Sequence, residues 1–343
     1  MAPAAPRQGA AILGCAGLTL GPDEVAFFRE ADPWGFILFA RNVDTPDQLR
    51  RLTGDLRDAV GRQAPILIDQ EGGRVQRLRA PHWREWLAPL DQAVRSGAGG
   101  ARSFWLRARI MAAELRAVGI DANCAPTCDI AGPDTHPFLR NRCLGTDAAS
   151  VAAHARATAA GFLAGGVLPV IKHIPGHGRA TADSHLDLPT VTAPLEVLDQ
   201  TDFAPFRALA DLPMGMTAHI RFAALDPAPA TQSARVIGLI RDRIGFDGLL
   251  MTDDIGMQAL SGPVTDRAAK SIAAGCDVVL HCNGDLAEMQ AVVAAAGRLT
   301  PAAHARASAA LARRIAPEAV DIAGLEAELG AVLNGAPSPK PKA

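Results

Sequence analysis

Leu168-Pro169-Val170-Ile171-Lys172-His173-Ile174-Pro175-Gly176-His177-Gly178 passes from an unbroken apolar run into basic side chains and a Pro-Gly turn. Residues 168–171 show no polar alternation, so they read as a strand buried on both faces, the pattern of a parallel sheet. In front of them lies the helix-forming segment 148–164, closed by Gly165-Gly166. Glycine at that place ends a helix. Helix, buried strand and polar turn in that order make one unit of an α/β fold.

The same unit recurs along the chain. Short apolar runs lie at residues 11–14, 35–39, 65–69, 121–125, 168–173, 214–219, 248–253 and 277–281. Helical patterns fall between them at 46–60, 103–118, 148–164, 265–274 and 286–298, and a further helix is expected at 302–314. Thr45 is placed to cap the first of these, with Asp47 and Gln48 in its first turn. Strands alternating with helices predict a parallel sheet, and eight of them predict closure. The expected fold is a single-domain (β/α)8 TIM-like barrel over residues 9–334. The Pro- and Ala-rich ends, 1–8 and 335–343, read as disordered tails.

Composition narrows the function. The 343 residues are 49% hydrophobic, enough for a large core, and the formal net charge is -2 with no long basic run. Nucleic-acid binding leaves a basic stripe, so it is not expected. Cys15, Cys124, Cys128, Cys143, Cys276 and Cys282 form no CxxC pair and read as buried thiols in a reducing compartment. Ile12-Leu13-Gly14-Cys15 faintly resembles a lipoprotein cleavage box, but its apolar run is short and reads better as the first strand. No stretch is long and apolar enough to span a membrane, so a cytoplasmic location is expected.

A barrel carries its chemistry at the C-terminal ends of its strands. Acids, bases and glycines follow four of the apolar runs: Asp69-Gln70-Glu71-Gly72-Gly73, Lys172-His173, Thr217-Ala218-His219 and Thr252-Asp253-Asp254. Side chains alternate along a strand, so one of Asp253 and Asp254 is expected to face the axis while its neighbour holds a loop. A central carboxylate can be a nucleophile, a metal ligand or an acceptor for sugar hydroxyls. Asp183 and His185, two apart on a loop, can pair so that the imidazole serves as acid and then base. Lys172 and His173 suit hydrogen bonds to a substrate, with a structural ion pair as the rival reading. Arg77 and Arg142 carry little signal alone. Asp69 opens a ligand loop in which Gly72-Gly73 permits a sharp turn. A phosphate loop is disfavoured, because the acids repel an anion and no GxxxxGK[ST] is present.

Taken together, IDQEGGRVQR (68–77), KHIPGHG (172–178), DSH (183–185) and GLLMTDD (248–254) resemble glycoside hydrolase family 3, in its bacterial β-N-acetylhexosaminidase branch. The resemblance implies that Asp253 is the nucleophile, that His185 is the acid/base and that Asp183 is its partner. It implies sugar contacts from Asp69, Arg77, Arg142, Lys172 and His173. Arg142 rests on the shorter match Asn141-Arg142-Cys143-Leu144-Gly145, where an aromatic residue usually stands in place of Leu144. It further implies retaining removal of terminal N-acetylglucosamine from muropeptide-type fragments in peptidoglycan recycling, with neither cofactor nor metal. The oligomeric state is left open, a monomer being compatible. Rival readings are a β-glucosidase-type enzyme or an N-acetylglucosaminide phosphorylase on the same scaffold. More distant ones are a metal hydrolase using His173, His177, Asp183, His185 and Asp253, and a sugar-binding protein without turnover.

Overall fold

All eight apolar runs become strands, and each pairs in parallel with the next. In the computed structural model, which describes residues 8–181, 187–317 and 319–335, they are β1 (Gly9–Leu13), β2 (Pro33–Leu38), β3 (Ile66–Ile68), β4 (Ala122–Asn123), β5 (Leu168–Ile174), β6 (Met214–Thr217), β7 (Leu249–Asp254) and β8 (Val278–His281). β8 pairs with β1 through Ala11–Val279, Ile12–Leu280 and Leu13–His281, which closes the barrel. The apolar run ahead of Cys15 is therefore strand as far as Leu13, with Gly14 and Cys15 just beyond its end, and Ala10 to Leu13 are buried. A second, two-stranded parallel ladder joins Thr190–Val191 to Arg221–Phe222, which the apolar pattern did not announce.

The helices follow the caps. Pro46–Val60 starts where the Thr45 hydroxyl accepts from the Gln48 backbone N–H, and Ala148–Ala164 starts where Asp147 accepts from that of Ser150. Seven of the α-helices among the described residues were not anticipated: the short Pro137–Arg140, Leu195–Gln200, Ala204–Ala208 and Ala234–Leu239, and the longer Pro22–Ala31, Pro89–Ser96 and Ile322–Leu333. The last is weakly amphipathic and packs on Gly100–Ala117 through buried Leu329 and Val332, with Arg102 and Glu328 paired at 2.7 Å. Its position comes from a long-range contact, which a local pattern does not report.

The two ends of the barrel divide the labour. At the N-terminal end, Asp121 accepts from the Ile66 N–H at 2.8 Å and pairs with Arg57 and Arg314 at 2.8 and 2.6 Å. Asp277 does the same work beside β8, with Arg241 at 2.8 Å and Arg306 at 3.0 Å. Both carboxylates tie helices to strand starts. The acids at the opposite end face a cavity.

All six cysteines are buried and free. Among the described residues, no helix is long and apolar enough to cross a membrane.

Candidate active site

The cavity at the C-terminal ends of the strands has a volume of about 250 Å³. Asp69, Arg77, Arg142, Lys172, His173 and Asp253 all line it. Six of the eight residues singled out in the sequence therefore meet at one place. Asp183 and His185 lie outside the described residues.

A buried network of ions holds the cationic side. Lys172 Nζ lies 2.9 Å from Asp69 Oδ1 and 2.6 Å from Glu71 Oε1. Arg142 grips Glu71 with two parallel bonds, Nε to Oε2 at 2.9 Å and Nη2 to Oε1 at 2.8 Å. Arg77 Nη2 donates to Asp69 Oδ2 at 3.2 Å. Lys172 thus makes the ion pair that competed with a ligand role, and it also lines the cavity. Burial would raise the Asp69 and Glu71 carboxyls, but Lys172 and the arginines outweigh it and hold both below the usual carboxylate range. Burial likewise opposes the charge on Lys172, and the two carboxylates reverse the sign and hold it up.

Glu71 is the hub, although the sequence showed it only as part of the Asp69–Gly73 run. A turn brings it there. The N–H groups of Glu71 and Gly72 both donate to the Val75 carbonyl, at 2.8 and 3.0 Å. Gly72 has φ +102°, and a Cβ on it would stand 2.7 Å from the Leu87 carbonyl oxygen. Only glycine meets both demands.

Consecutive side chains reach the cavity because two ladders slip. The register of β5 against β6 shifts between Lys172 and Ile174, and that of β8 against β7 shifts between Val278 and Leu280. Such an irregularity breaks strict alternation. Lys172 and His173 therefore both face the mouth, and so do Asp253 and Asp254. The expectation that only one of the two acids would face inward needs that correction. Asp254 does also hold a loop, accepting from the Gly256 and Cys282 N–H groups at 2.9 and 3.3 Å.

The two acids are shifted in opposite directions. Burial would raise the Asp253 carboxyl, but His173, His219, the Asp254 N–H and Lys172 bring it down to about 2. The Asp254 carboxyl is pushed up, first by burial and then by the charge of Asp253. Neighbouring carboxylates with values driven apart are suited to different roles. His219 supports the strand end from behind. Its Nε2 lies 2.9 Å from the Asp254 carbonyl oxygen, so that nitrogen carries the proton. Its Nδ1 lies 2.8 Å from Thr231 Oγ1, which in turn lies 2.8 Å from Thr217 Oγ1. Thr231 carried no signal in the sequence, since it comes from a short 3-10 turn beyond β6.

Asp129, His173 and His177 have donor atoms within 4.8 Å of one another and make up the candidate metal cluster among the described residues. Asp129 Oδ2 is 2.7 Å from His173 Nδ1, the length of a hydrogen bond. Two ligands of one tetrahedral zinc stand roughly 3.4 Å apart at ordinary bond lengths. The pair is set for a shared proton, and a metal bound by both would have to spread it.

Acid titration reads the cavity out as stability. Asp69, Glu71, Asp129 and Asp253 all have lowered carboxyls, so their contribution is full above the unfolded value near 4 and is lost as pH falls through the folded values. The His177 imidazole is brought down from 6.5 to about 4, by burial first and then by His173. The unfolded chain takes up that proton first, so stability already falls between those two values as acid is added. His219 and His281 are lowered as well, so His177→Gln is expected to reduce the slope of that upper segment in urea unfolding at stepped pH, without abolishing it, and to leave the steeper loss below about 4 in place. An unchanged upper slope would remove His177 as a contributor.

The glycosyl hydrolase family 3 N-terminal domain matches residues 31–316. A β-hexosaminidase of Alkalilimnicola ehrlichii is 38% identical over 284 residues, which are 80% of this chain and 81% of that one. A family 3 β-N-acetylglucosaminidase of Paenibacillus superposes with a TM-score of 0.82 at 33% identity, over 91% of this chain and 63% of that one. NagZ of Neisseria gonorrhoeae superposes with a TM-score of 0.80 at 28% identity, over 96% of this chain and 97% of that one, and has also been solved with N-trifluoroacetyl-D-glucosamine. The family match spans strands β2 to β8 and every cavity-lining residue named above, and the chain belongs to glycosyl hydrolase family 3.

Proposed function

We propose that this glycoside hydrolase is an exo-acting, retaining β-N-acetylglucosaminidase. The observation that carries the reading is an ionised Asp253 in a cavity whose wall is a fixed array of charged donors and acceptors. Its volume of about 250 Å³ suits a single pyranose. That is below the roughly 300–1,000 Å³ of sites for larger ligands. Family membership and the N-acetylglucosaminidase names of the relatives support the same substrate.

In the proposed reaction an Asp253 oxygen forms a bond to the anomeric carbon as the bond to the leaving oxygen breaks. His185, oriented by Asp183, gives its proton to that oxygen. Water, deprotonated by His185, then cleaves the glycosyl ester. Retaining enzymes ordinarily use two carboxyl groups about 5–5.5 Å apart. An imidazole in place of one has a physical rationale: when neutral, it lets anionic groups approach. Asp69, Arg77, Arg142, Lys172 and His173 bind the sugar. The natural substrates are muropeptide-type fragments, which places the enzyme in peptidoglycan recycling in the cytoplasm, with no cofactor.

Rates on paired chromogenic β-N-acetylglucosaminide and β-glucoside substrates test this, with phosphate or chelator added in turn. The expected result is a strong preference for the N-acetylated sugar, free N-acetylglucosamine as product in phosphate, and no loss in chelator. Preference for the glucoside, release of a sugar phosphate, or inactivation by chelator would each replace the proposal with the corresponding rival.

A further inference from the structure

Asp129 was silent in the sequence and is central in the structure. The chain after β4 runs on beside β5: the Lys172 N–H donates to the Pro126 carbonyl at 3.2 Å, and the Cys128 N–H donates to the Lys172 carbonyl at 2.6 Å. That extension delivers Asp129, 1% exposed, to the back of the cavity wall. Both its oxygens are committed. Oδ2 accepts from His173 Nδ1 at 2.7 Å, and Oδ1 accepts from the His177 backbone N–H at 2.6 Å. Close packing locks the arrangement, since a Cβ on Gly178 would stand 2.3 Å from the Ile130 carbonyl oxygen.

Hydrogen-bond accounting then settles the state of His173. A carboxylate only accepts, so Nδ1 carries the proton. The other ring nitrogen, Nε2, lies 3.4 Å from Arg142 Nη2, which can only donate. The opposite tautomer would set one N–H against another. Of the two neutral forms, only the one protonated on Nδ1, with its Nε2 lone pair toward the cavity side, satisfies every neighbour.

We propose that Asp129 is a positioning residue that holds His173 as the Nδ1–H tautomer, so that the Nε2 lone pair can exchange its long 3.4 Å contact with Arg142 for a hydrogen bond from a substrate hydroxyl, and that anchors the backbone at His177 with its second oxygen. The catalytic half of this rests on the glycosidase reading above; the tautomer half does not. The device has a chemical consequence. The cavity wall then combines donors from Arg142 and Lys172 with an acceptor from His173 beside that of Asp69, and an acceptor discriminates a hydroxyl from a position lacking one.

Asp129→Asn is the test. An asparagine oxygen can serve either His173 or His177 but not both; the His177 backbone can only donate and so keeps the oxygen, and the amide N–H that then faces Nδ1 drives the His173 proton to Nε2, against Arg142. Long-range ¹H–¹⁵N correlation of histidine-labelled protein is expected to show His173 protonated on Nδ1 in the wild type and on Nε2 in the variant. kcat/KM on the N-acetylglucosaminide should fall by roughly 10²-fold, the scale of a misplaced contact. Combining Asp129→Asn with His173→Gln should be no worse than His173→Gln alone, because Asp129 acts through that ring. A wild-type His173 that is protonated on Nε2, or doubly protonated at neutral pH, overturns the proposal without any activity measurement. So does an Asp129→Asn enzyme within threefold of wild type, or a loss that adds in full to that of His173→Gln. Failure of the wild type to cleave the substrate would sink the glycosidase reading and leave the tautomer result standing.

Discussion

Replacing Asp253 by asparagine is expected to lower kcat/KM for a chromogenic β-N-acetylglucosaminide by about 10⁴-fold or more, the scale on which loss of a nucleophile is felt. Asp254→Asn should cost roughly tenfold or less by the same measure. The two acids are neighbours in sequence and both line the cavity, so sequence pattern alone does not rank them. Their surroundings do. Asp253 is brought down to about 2 and is ionised at neutral pH, and its Oδ1 is held by the Asp254 N–H at 2.8 Å. Asp254 is pushed up, and its Oδ1 is occupied by two backbone N–H groups. An amide keeps an oxygen that can hold the loop, whereas it cannot form a glycosyl ester. Asp253→Ala supplied with azide adds a stereochemical reading, because direct attack by azide on the bound β-glycoside yields the α-glycosyl azide. A dead Asp254→Asn beside an active Asp253→Asn would reverse the assignment.

The second large effect is expected at Glu71. Glu71→Gln leaves the Arg142 guanidinium and the Lys172 ammonium in a buried wall with one carboxylate, Asp69, where there were two. Removing one partner of a buried ion pair costs about 3–5 kcal/mol, because the remaining charge loses its compensation. That loss should appear in denaturant unfolding monitored by fluorescence. Activity should fall with it, since the two Glu71 bonds fix the plane of Arg142. A double-mutant cycle with Arg142→Met separates the contributions. The coupling is expected at about 1–3 kcal/mol for groups in direct contact. Strict additivity would mean that the 2.8 and 2.9 Å bonds carry no net stability and that Glu71 serves only as a spacer.

Much of this architecture is legible locally, and the reason is periodicity. A strand covered on both faces must be apolar throughout, so 168–171 announced itself without any partner in view. The cap at Thr45 could be read in the same way. The helix Ile322–Leu333 could not, because its place is set by contacts with Gly100–Ala117, far away in sequence. Strand ends were also legible as polar runs, which is why Asp69, Lys172, His173 and Asp253 were named before any fold was known. Asp129 and Thr231 were not. They act through partners 44 and 12 residues away, His173 and His219. Neither has a neighbourhood that sets it apart.

What the sequence alone determined is therefore the kind of fold and the place of the chemistry: eight buried strands, closed by their number, with reactive side chains after them. Only the tertiary structure decided how those side chains share their charges. Side-chain alternation predicts one inward acid from Asp253 and Asp254 and one inward residue from Lys172 and His173, and two slipped ladders bring in both of each pair. Glu71 became the centre of the cationic wall and Asp129 the holder of an imidazole proton for the same reason. Electrostatic energy depends on distances of a few ångströms between groups brought together by closure of the barrel, and such distances have no counterpart in the linear order of residues.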